Sequence, residues 1–196
     1  MYPITMTRPP NPFFARGFGA STPWLDLVNS ELLDGFGHPT ECLDDPLWVR
    51  TFARHWKLRA AFEEPAAQAA LRELRSLLRR LVEKNSTHGS LDSHDLSQLN
   101  AWLKVPVFPQ LVERQNGFAL ALQPAQIGWQ AELAKVARSL AESLIEGPKG
   151  RLKICANLDC RWVFVDRTKG NVRRWCNDAT CGNRDRVRRS RAARKS

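Results

Sequence analysis

The chain has 196 residues, 43% of them hydrophobic, which is enough for one moderate core and a small additional module. Its formal net charge is +10, and the whole excess lies at the carboxyl end: residues 1–150 hold 16 basic and 16 acidic side chains, whereas residues 151–196 hold 14 and 4. A neutral body with a basic end indicates a polyanionic partner, with nucleic acid as the leading candidate.

The same composition argues against membrane insertion and secretion. No stretch reaches the roughly 18 apolar residues that a membrane span requires. Residues 1–20 contain four prolines and no apolar run of the kind found in signal peptides, so we treat them as a flexible N terminus. We therefore expect a cytoplasmic protein, in which clustered cysteines more often hold metal than form disulfides.

Residues 21–146 show the pattern of a mainly helical domain. The sequence Ser21-Thr22-Pro23 predicts a first helix that runs to about Leu33, and Asp45-Pro46 predicts the start of a second. A third and longer helix is expected from Pro65, where leucines form a broad apolar stripe. A fourth is expected after Asp92, which with Asp95 resembles a capping box.

An alternating pattern then interrupts the helices. Apolar residues flank Asn116-Gly117, and Phe118, Leu120 and Leu122 fall on one face, which predicts a β-hairpin. A final long helix is expected from Ile127 onward. Residues 147–150, Gly-Pro-Lys-Gly, are interpreted as a linker. The predicted fold class is mainly α (α+β): a helical domain with one β-hairpin, followed by a small module at 151–196.

Four of the five cysteines stand in that module in two pairs of equal spacing, Cys155 with Cys160 and Cys176 with Cys181. Two short-spaced pairs can supply the four thiolates of a tetrahedral zinc site, so we predict one structural Zn²⁺ held by these residues. Disulfides, with three pairings open to four cysteines, and an iron–sulfur centre remain alternatives. Cys42 stands alone and is expected to be a small buried apolar residue.

The residues between the pairs predict the rest of the module. Trp162–Val165 is β-prone, Thr168–Asn171 is turn-like, and Val172–Trp175 leads back to the second pair. A knuckle, a hairpin, a second knuckle and a helix would result. Four thiolates close the coordination shell, so the metal is expected to stabilise the fold by on the order of 10 kcal/mol rather than to catalyse a reaction.

An arginine-rich segment follows Cys181. If it is helical, Arg184, Arg188, Arg191 and Lys195 share one face. Like charges disfavour such a helix, so we expect its distal part to fray until phosphates neutralise it. The residues expected to contact nucleic-acid phosphates are Arg173, Arg174, Arg184, Arg186, Arg188, Arg189 and Arg191.

These motifs resemble those of the CGNR zinc-finger family. The resemblance rests on Cys181-Gly182-Asn183-Arg184, on Arg173–Cys176 before it, and on the first cysteine pair with the aromatic residues that follow. Upstream, Trp24–Ser30 and Leu99–Leu103 are similar to the ABATE-type domain, a stress-induced transcription regulator. The resemblance implies that the four cysteines bind zinc and that the module binds DNA in a bacterial regulator. Asp185-Arg186 departs from the small residue and lysine that commonly follow the CGNR motif.

The helical domain carries no Gly-rich phosphate loop, HExxH or GxSxG motif, and its histidines are scattered (His38, His55, His88 and His94). Asp26 and Asn29 lie one helical turn apart and, with Arg50, Arg54 or His55, could line a polar ligand pocket.

Three functions are open. The first is a DNA-binding regulator whose helical domain senses a small molecule or forms a homodimer. The second is an RNA-binding or ribosome-associated zinc protein. The third is an enzyme with its site in the helical domain, which the missing catalytic motifs disfavour, so we expect a protein that is not an enzyme.

Overall fold

The computed structural model describes residues 22–33, 39–60, 62–146 and 150–194. The expected flexible N terminus, the Ser21 cap and most of the expected linker, residues 147–149, lie outside the described residues. Within them, the predicted fold class is confirmed: a helical body with a β-hairpin is followed by a small module that contains four clustered cysteines.

Three antiparallel strand pairs interrupt the series of helices in the described residues. The helices of the body are α1 (Pro23–Val28), α2 (Pro46–His55), α3 (Pro65–His88), α4 (Ser93–Leu103) and α5 (Trp129–Glu146). The strand pairs are β1 (Glu31–Leu33) with β2 (Pro39–Glu41), β3 (Val107–Arg114) with β4 (Gly117–Pro124), and β5 (Leu152–Ile154) with β6 (Val163–Val165). A last helix, α6 (Asn183–Ala193), follows the second cysteine pair.

Local sequence signals account for several of the helix starts. The Asp45 carboxylate caps α2 by accepting a hydrogen bond from the Leu47 amide at 2.9 Å. The predicted capping box of α4 is confirmed, since Asp92 and Asp95 each accept a hydrogen bond from the other's backbone N–H. Pro65 stands at the start of α3, where a missing N–H costs nothing.

Two predicted helix boundaries are wrong. The first helix ends at Val28 rather than near Leu33, because the chain turns at Asn29 and Ser30 and residues 31–33 pair with β2. The last helix of the body begins at Trp129, so Ile127 precedes it and is 90% exposed. In both places an apolar residue has the spacing of a helix, but its backbone is not helical. Residues 31–33 form a strand, and Ile127 lies in the non-helical segment before the helix.

The hydrophobic core is built around α3. Its leucine stripe is buried against α1 and α5, and the large side chains of Trp24, Trp48 and Phe52 fill the interior. A partly buried ion pair borders this core, in which the buried Arg75 makes two hydrogen bonds of 2.6 Å to the carboxylate of the half-buried Glu41. The core does not end with the body, because two side chains of the C-terminal module, Leu152 and Val163, belong to the same buried cluster.

Candidate metal centre and basic helix

The four cysteines of the C-terminal module come together at one point. Cys155 directly follows β5, and Cys160 closes the loop that leads to β6. Cys176 lies in a bend after the return segment, and Cys181 lies in a single wide turn, Asp178–Gly182, that continues into α6. Their four sulfur atoms all lie within 4.8 Å of one another.

The sulfur separations match a single tetrahedral metal ion. Sγ of Cys176 lies 3.7 Å from Sγ of Cys160 and 3.7 Å from Sγ of Cys181. A zinc–sulfur bond of about 2.3 Å gives a tetrahedron whose sulfurs are about 3.8 Å apart. A disulfide would need about 2.05 Å, and all of these cysteines are free. The cluster can therefore hold one zinc ion, as the spacing predicted.

The thiols ionise unequally when they are this close. Hydrogen bonds from Cys160 and Cys176 lower the pKa of Cys155 to about 2. The hydrogen bond with Cys155, together with burial, raises the pKa of Cys160 to about 12, and the pKa of Cys176 also rises above its usual range. Ionisation of one thiol thus disfavours ionisation of its neighbours. A divalent cation at the centre would relieve the repulsion between the thiolates.

The hairpin of this module differs in its pairing from the prediction. β6 forms as expected, but it pairs with β5 rather than with residues 172–175. The loop of the hairpin is therefore the first knuckle itself, and the Cys155 N–H donates to the Trp162 carbonyl at 2.8 Å to extend the ladder. The return segment instead contacts the knuckle through Ala156, whose N–H donates to the Arg174 carbonyl at 2.9 Å.

The buried carboxylate of Asp166 fastens this frame. It accepts hydrogen bonds from the Lys153 ammonium at 2.8 Å, from the Thr168 N–H at 3.0 Å and from the Arg173 N–H at 2.8 Å. These donors come from β5, from the turn and from the return segment. Asp166 thus joins the three pieces of backbone that place the cysteines.

The C-terminal module docks on the helical body through Asn29. The amide group of this buried side chain donates to the Val163 carbonyl at 2.9 Å, and its oxygen accepts from the Val163 N–H at 2.8 Å. A second contact lies nearby, where Arg79 donates to the Arg161 carbonyl at 2.8 Å and Arg161 forms an ion pair with Glu83 at 2.9 Å. Asn29 therefore contacts the module instead of lining a ligand pocket.

Asp26, the other residue of the suggested pocket, is also buried. Its carboxylate accepts one hydrogen bond of 2.9 Å from the indole N–H of Trp56. Burial raises the pKa of Asp26 from 3.8 to about 7, and this hydrogen bond only partly offsets the effect. The folded protein thus holds a proton that the unfolded chain releases above about pH 4.

We expect the Asp26→Asn variant to be more stable than the wild type at pH 8, by up to about 4 kcal/mol. The raised pKa of Asp26 costs stability as pH rises from about 4 to 7, and asparagine keeps the acceptor for Trp56 without the charge. Urea unfolding at pH 5 and pH 8 measures this. A wild-type pH dependence that persists unchanged in the variant would contradict the assignment.

The arginines of α6 occupy several faces of an exposed helix. Arg184, Arg188 and Arg191 share one face and, with Asn157 and Asp159 of the first knuckle, line a cavity of about 430 Å³. The face predicted from helical spacing is therefore present and lies against the metal-binding loops. Lys195, which was expected to extend this face, is outside the described residues.

Acidic side chains of the module hold several of these arginines. Asp185 forms ion pairs with Arg188 at 2.8 Å and with Arg189 at 3.0 Å. Arg186 pairs with Asp178 at 3.1 Å. The side chains of all three arginines remain about half exposed or more, so each pair orients its arginine but contributes little to stability.

Arg173 and Arg174 differ in their surroundings: the Arg173 side chain contacts the backbone of the finger, and the Arg174 side chain is exposed. Arg173 lies over the ring of Phe164 at 4.7 Å and donates to the backbone carbonyls of Trp175 and Cys176. Its guanidinium thus supports the second knuckle. Arg174 is exposed and stacks over Trp175, with 5.2 Å between the guanidinium carbon and the ring centroid.

The CGNR glycine has a packing role. Gly182 has an ordinary helical backbone, but a Cβ added there would lie 2.4 Å from the Asp178 carboxylate and 3.3 Å from the Trp175 ring. A side chain at position 182 would therefore displace the exposed Asp178 carboxylate and crowd the Trp175 ring, although the backbone there has an ordinary φ.

The remaining candidate ligands lie elsewhere. Cys42 is fully buried in the core of the body, as predicted. His55, His88 and His94 are exposed residues of different helices or helix ends, and His38 is outside the described residues. In the part of the chain that the structure describes, the four cysteines are the group found with metal-ligand spacing, and no helix is both long and apolar enough to cross a membrane.

Comparison with known families gives two matches that together cover most of the chain. Residues 21–147 match the ABATE family, described as "Putative stress-induced transcription regulator", and residues 151–194 match the CGNR zinc finger. No curated protein matches the chain. The first match alone spans more than half of the sequence, so the chain belongs to the ABATE family of regulators and carries a CGNR zinc finger with a four-cysteine metal site at its carboxyl end.

Proposed function

We propose that this protein is a zinc-dependent DNA-binding transcriptional regulator. Cys155, Cys160, Cys176 and Cys181 would hold one structural Zn²⁺, and α6 would contact DNA. The observation that carries the proposal is the position of α6, an arginine-rich helix that begins two residues after the last cysteine of the metal cluster.

In this proposal the metal supplies rigidity. The four cysteine thiolates would fill the coordination shell of the zinc, so the ion would offer no position to a substrate or water. Side chains of the finger add to this rigidity. Asp166 joins β5 to the return segment by hydrogen bonds, and Arg173 donates to the backbone of the second knuckle. The direction of α6 is thereby set relative to the body, since Asn29 fixes the hairpin that carries the first knuckle.

The surface of α6 has the charge and shape that a DNA duplex requires. An α-helix fits the major groove, and arginines along it reach phosphates on either side. The exposed candidates in the finger are Arg174, Arg186, Arg188, Arg189 and Arg191. Arg186, Arg188 and Arg189 can contact phosphates while they are paired with Asp178 and Asp185, because about half or more of each arginine side chain is exposed to solvent.

The helical body would serve as the sensing or dimerisation part of the regulator. The polar pocket suggested for Asp26 and Asn29 does not support an effector site, because Trp56 and Val163 already engage these side chains. An RNA partner would use the same arginine surface. Competition between a DNA duplex and a structured RNA of equal length distinguishes the two nucleic acids.

The affinity for duplex DNA should fall steeply with salt. Four to six phosphate contacts give a log–log slope of roughly −4 to −5. In the double variant Arg188→Ala/Arg191→Ala the slope should be less negative by about 2, because two phosphate contacts are lost. Fluorescence anisotropy with zinc-loaded protein measures this.

The matched control removes two exposed charges from α2 of the body instead, with Arg50→Ala/Arg54→Ala, and its slope should equal that of the wild type. A wild-type slope near zero would reject phosphate contacts altogether. If structured RNA displaces duplex DNA at a small fraction of its concentration, RNA binding replaces DNA binding as the function.

A further inference from the structure

The hairpin β3–β4 exposes an apolar surface that the rest of the described chain does not cover. Val107, Leu111, Phe118, Leu120 and Leu122 lie on one face of this hairpin, and each is about half exposed or more. Phe118 and Leu120 are 76% and 75% exposed. A two-stranded hairpin is marginally stable by itself in water, and a contiguous apolar patch of this kind marks an interaction surface.

This face continues into a groove on the body. The groove has a volume of about 320 Å³ and is mostly apolar. Val107 and Leu122 at the base of the hairpin form one wall, and Ala131 and Ala134 of α5 form part of the other. Hairpin face and groove are therefore one continuous surface.

Hydrogen-bonded and non-hydrogen-bonded residue pairs alternate along the hairpin, and this alternation shows which backbone groups point outward. The Ala125 N–H donates to the Pro106 carbonyl at 2.8 Å, so the pair 106/125 is hydrogen-bonded, and antiparallel pairs alternate from there. The pairs Pro109/Leu122, Leu111/Leu120 and Glu113/Phe118 are then non-hydrogen-bonded. The N–H and C=O groups of Phe118, Leu120 and Leu122 consequently lie along the outer edge of β4.

The two outer edges of the hairpin differ in a way that favours pairing at only one of them. On β3, Pro109 lacks an N–H at an outward position, and Glu113 and Arg114 place charges at the end of the strand; both features block an added strand. On β4, residues 117–123 contain neither a charge nor a proline. Within the described part of the chain, no third strand pairs with this edge.

We propose that β4 pairs antiparallel with β4 of a second copy of this chain, about a two-fold axis at Leu120, to make a four-stranded sheet across a homodimer. In this register Leu120 faces the partner's Leu120, and Phe118 lies opposite Leu122 of the partner subunit on the same face. The edge of β4 is thus complementary to itself, as a two-fold interface requires.

The same register accounts for the groove. Because the strands run in opposite directions, the tip of each hairpin lies beside the base of the other. Phe118 of the partner subunit comes next to Leu122, which is a wall of the groove, so its ring covers the groove mouth. The area that this register buries comes from the paired edges of β4 and from the partner's Phe118 over the groove mouth, so we expect an interface at or below the ~800 Å² per partner of a standard one.

The test is sedimentation velocity of the zinc-loaded full chain over a wide concentration range, without nucleic acid. We expect a species of twice the 22.3 kDa chain mass. Leu120→Lys places two ammonium groups across the axis and should raise the dimer dissociation constant at least about 100-fold. Leu120→Pro, which imitates Pro109 by removing only an outward N–H, should also give a monomer.

The matched control is Leu111→Lys, which adds the same charge on the same face but on the blocked strand β3. This variant should remain a dimer. Zinc content and far-UV circular dichroism equal to those of the wild type show that each variant is folded. A wild-type monomer at all concentrations overturns the proposal, and so does equal dissociation by Leu111→Lys and Leu120→Lys, which would mean that faces and not edges meet. Because DNA is absent, the result is independent of the proposed DNA binding.

Discussion

Replacing Cys176 with serine should abolish stoichiometric zinc binding and destabilise the whole chain without unfolding the helical body at 25 °C. Cys176 lies 3.7 Å from two other sulfurs of the cluster, so its loss opens the tetrahedron. Structural zinc contributes on the order of 10 kcal/mol to modules of this kind, which is more than a short segment with a small core can replace. The finger is expected to unfold.

The effect on the body follows from the shared core. Leu152 and Val163 are buried in the same cluster as the body helices, and each is worth about 1.5–3 kcal/mol when fully buried. Detachment of the finger therefore should lower the free energy of unfolding of the body by about 3–6 kcal/mol. The leucine stripe of α3 and the buried tryptophans remain, so most of the helical signal should persist.

Metal analysis and thermal unfolding followed by circular dichroism at 222 nm measure the two parts of this prediction. The control is Cys42→Ala, which removes a thiol from the core of the body; it should lower the melting temperature and leave one zinc ion per chain. A wild-type protein without zinc contradicts the metal assignment. Complete loss of helical structure in Cys176→Ser would show that residues 147–150 do not separate two parts of unequal stability.

The features predictable from sequence are those that nearby residues decide. Asp45 and the pair Asp92 and Asp95 start their helices through hydrogen bonds to amides two or three residues away. The spacing of the cysteines predicts a four-sulfur site because each pair spans one short loop. The hairpin is also local, although its turn lies at Gln115-Asn116, one residue earlier than the predicted Asn116-Gly117.

The features that were missed depend on contacts between distant residues. The end of α1 at Val28 is set in part by a partner far along the chain, since Asn29 bonds to Val163, and in part by the nearby strand β2, which pairs with residues 31–33. The choice of β5 as the partner of β6 depends on the docking of both strands on the body. Helical periodicity in residues 24–32 and the turn-like Thr168–Asn171 carry no signal of either contact.

The second large effect is expected for Asn29→Ala. This substitution removes both hydrogen bonds between the body and β6 and leaves the buried N–H and C=O of Val163 without partners. Each such group costs about 1–3 kcal/mol, so the loss of stability should be about 2–6 kcal/mol. Because the finger is then held less firmly, zinc release to a chelator should be at least about tenfold faster.

A near-isosteric variant separates hydrogen bonding from packing. Asn29→Asp keeps the acceptor for the Val163 N–H but turns a carboxylate oxygen toward the Val163 carbonyl, so it should destabilise at least as much as alanine. If the side chain merely fills space, the aspartate would be benign. The neighbouring control is Ser30→Ala, which removes buried hydrogen bonds to Leu27 and Arg75 within the body. It should lower overall stability yet leave the zinc release rate of the folded protein unchanged. A change equal to that of Asn29→Ala would show that the two hydrogen bonds between Asn29 and Val163 do not couple the finger to the body.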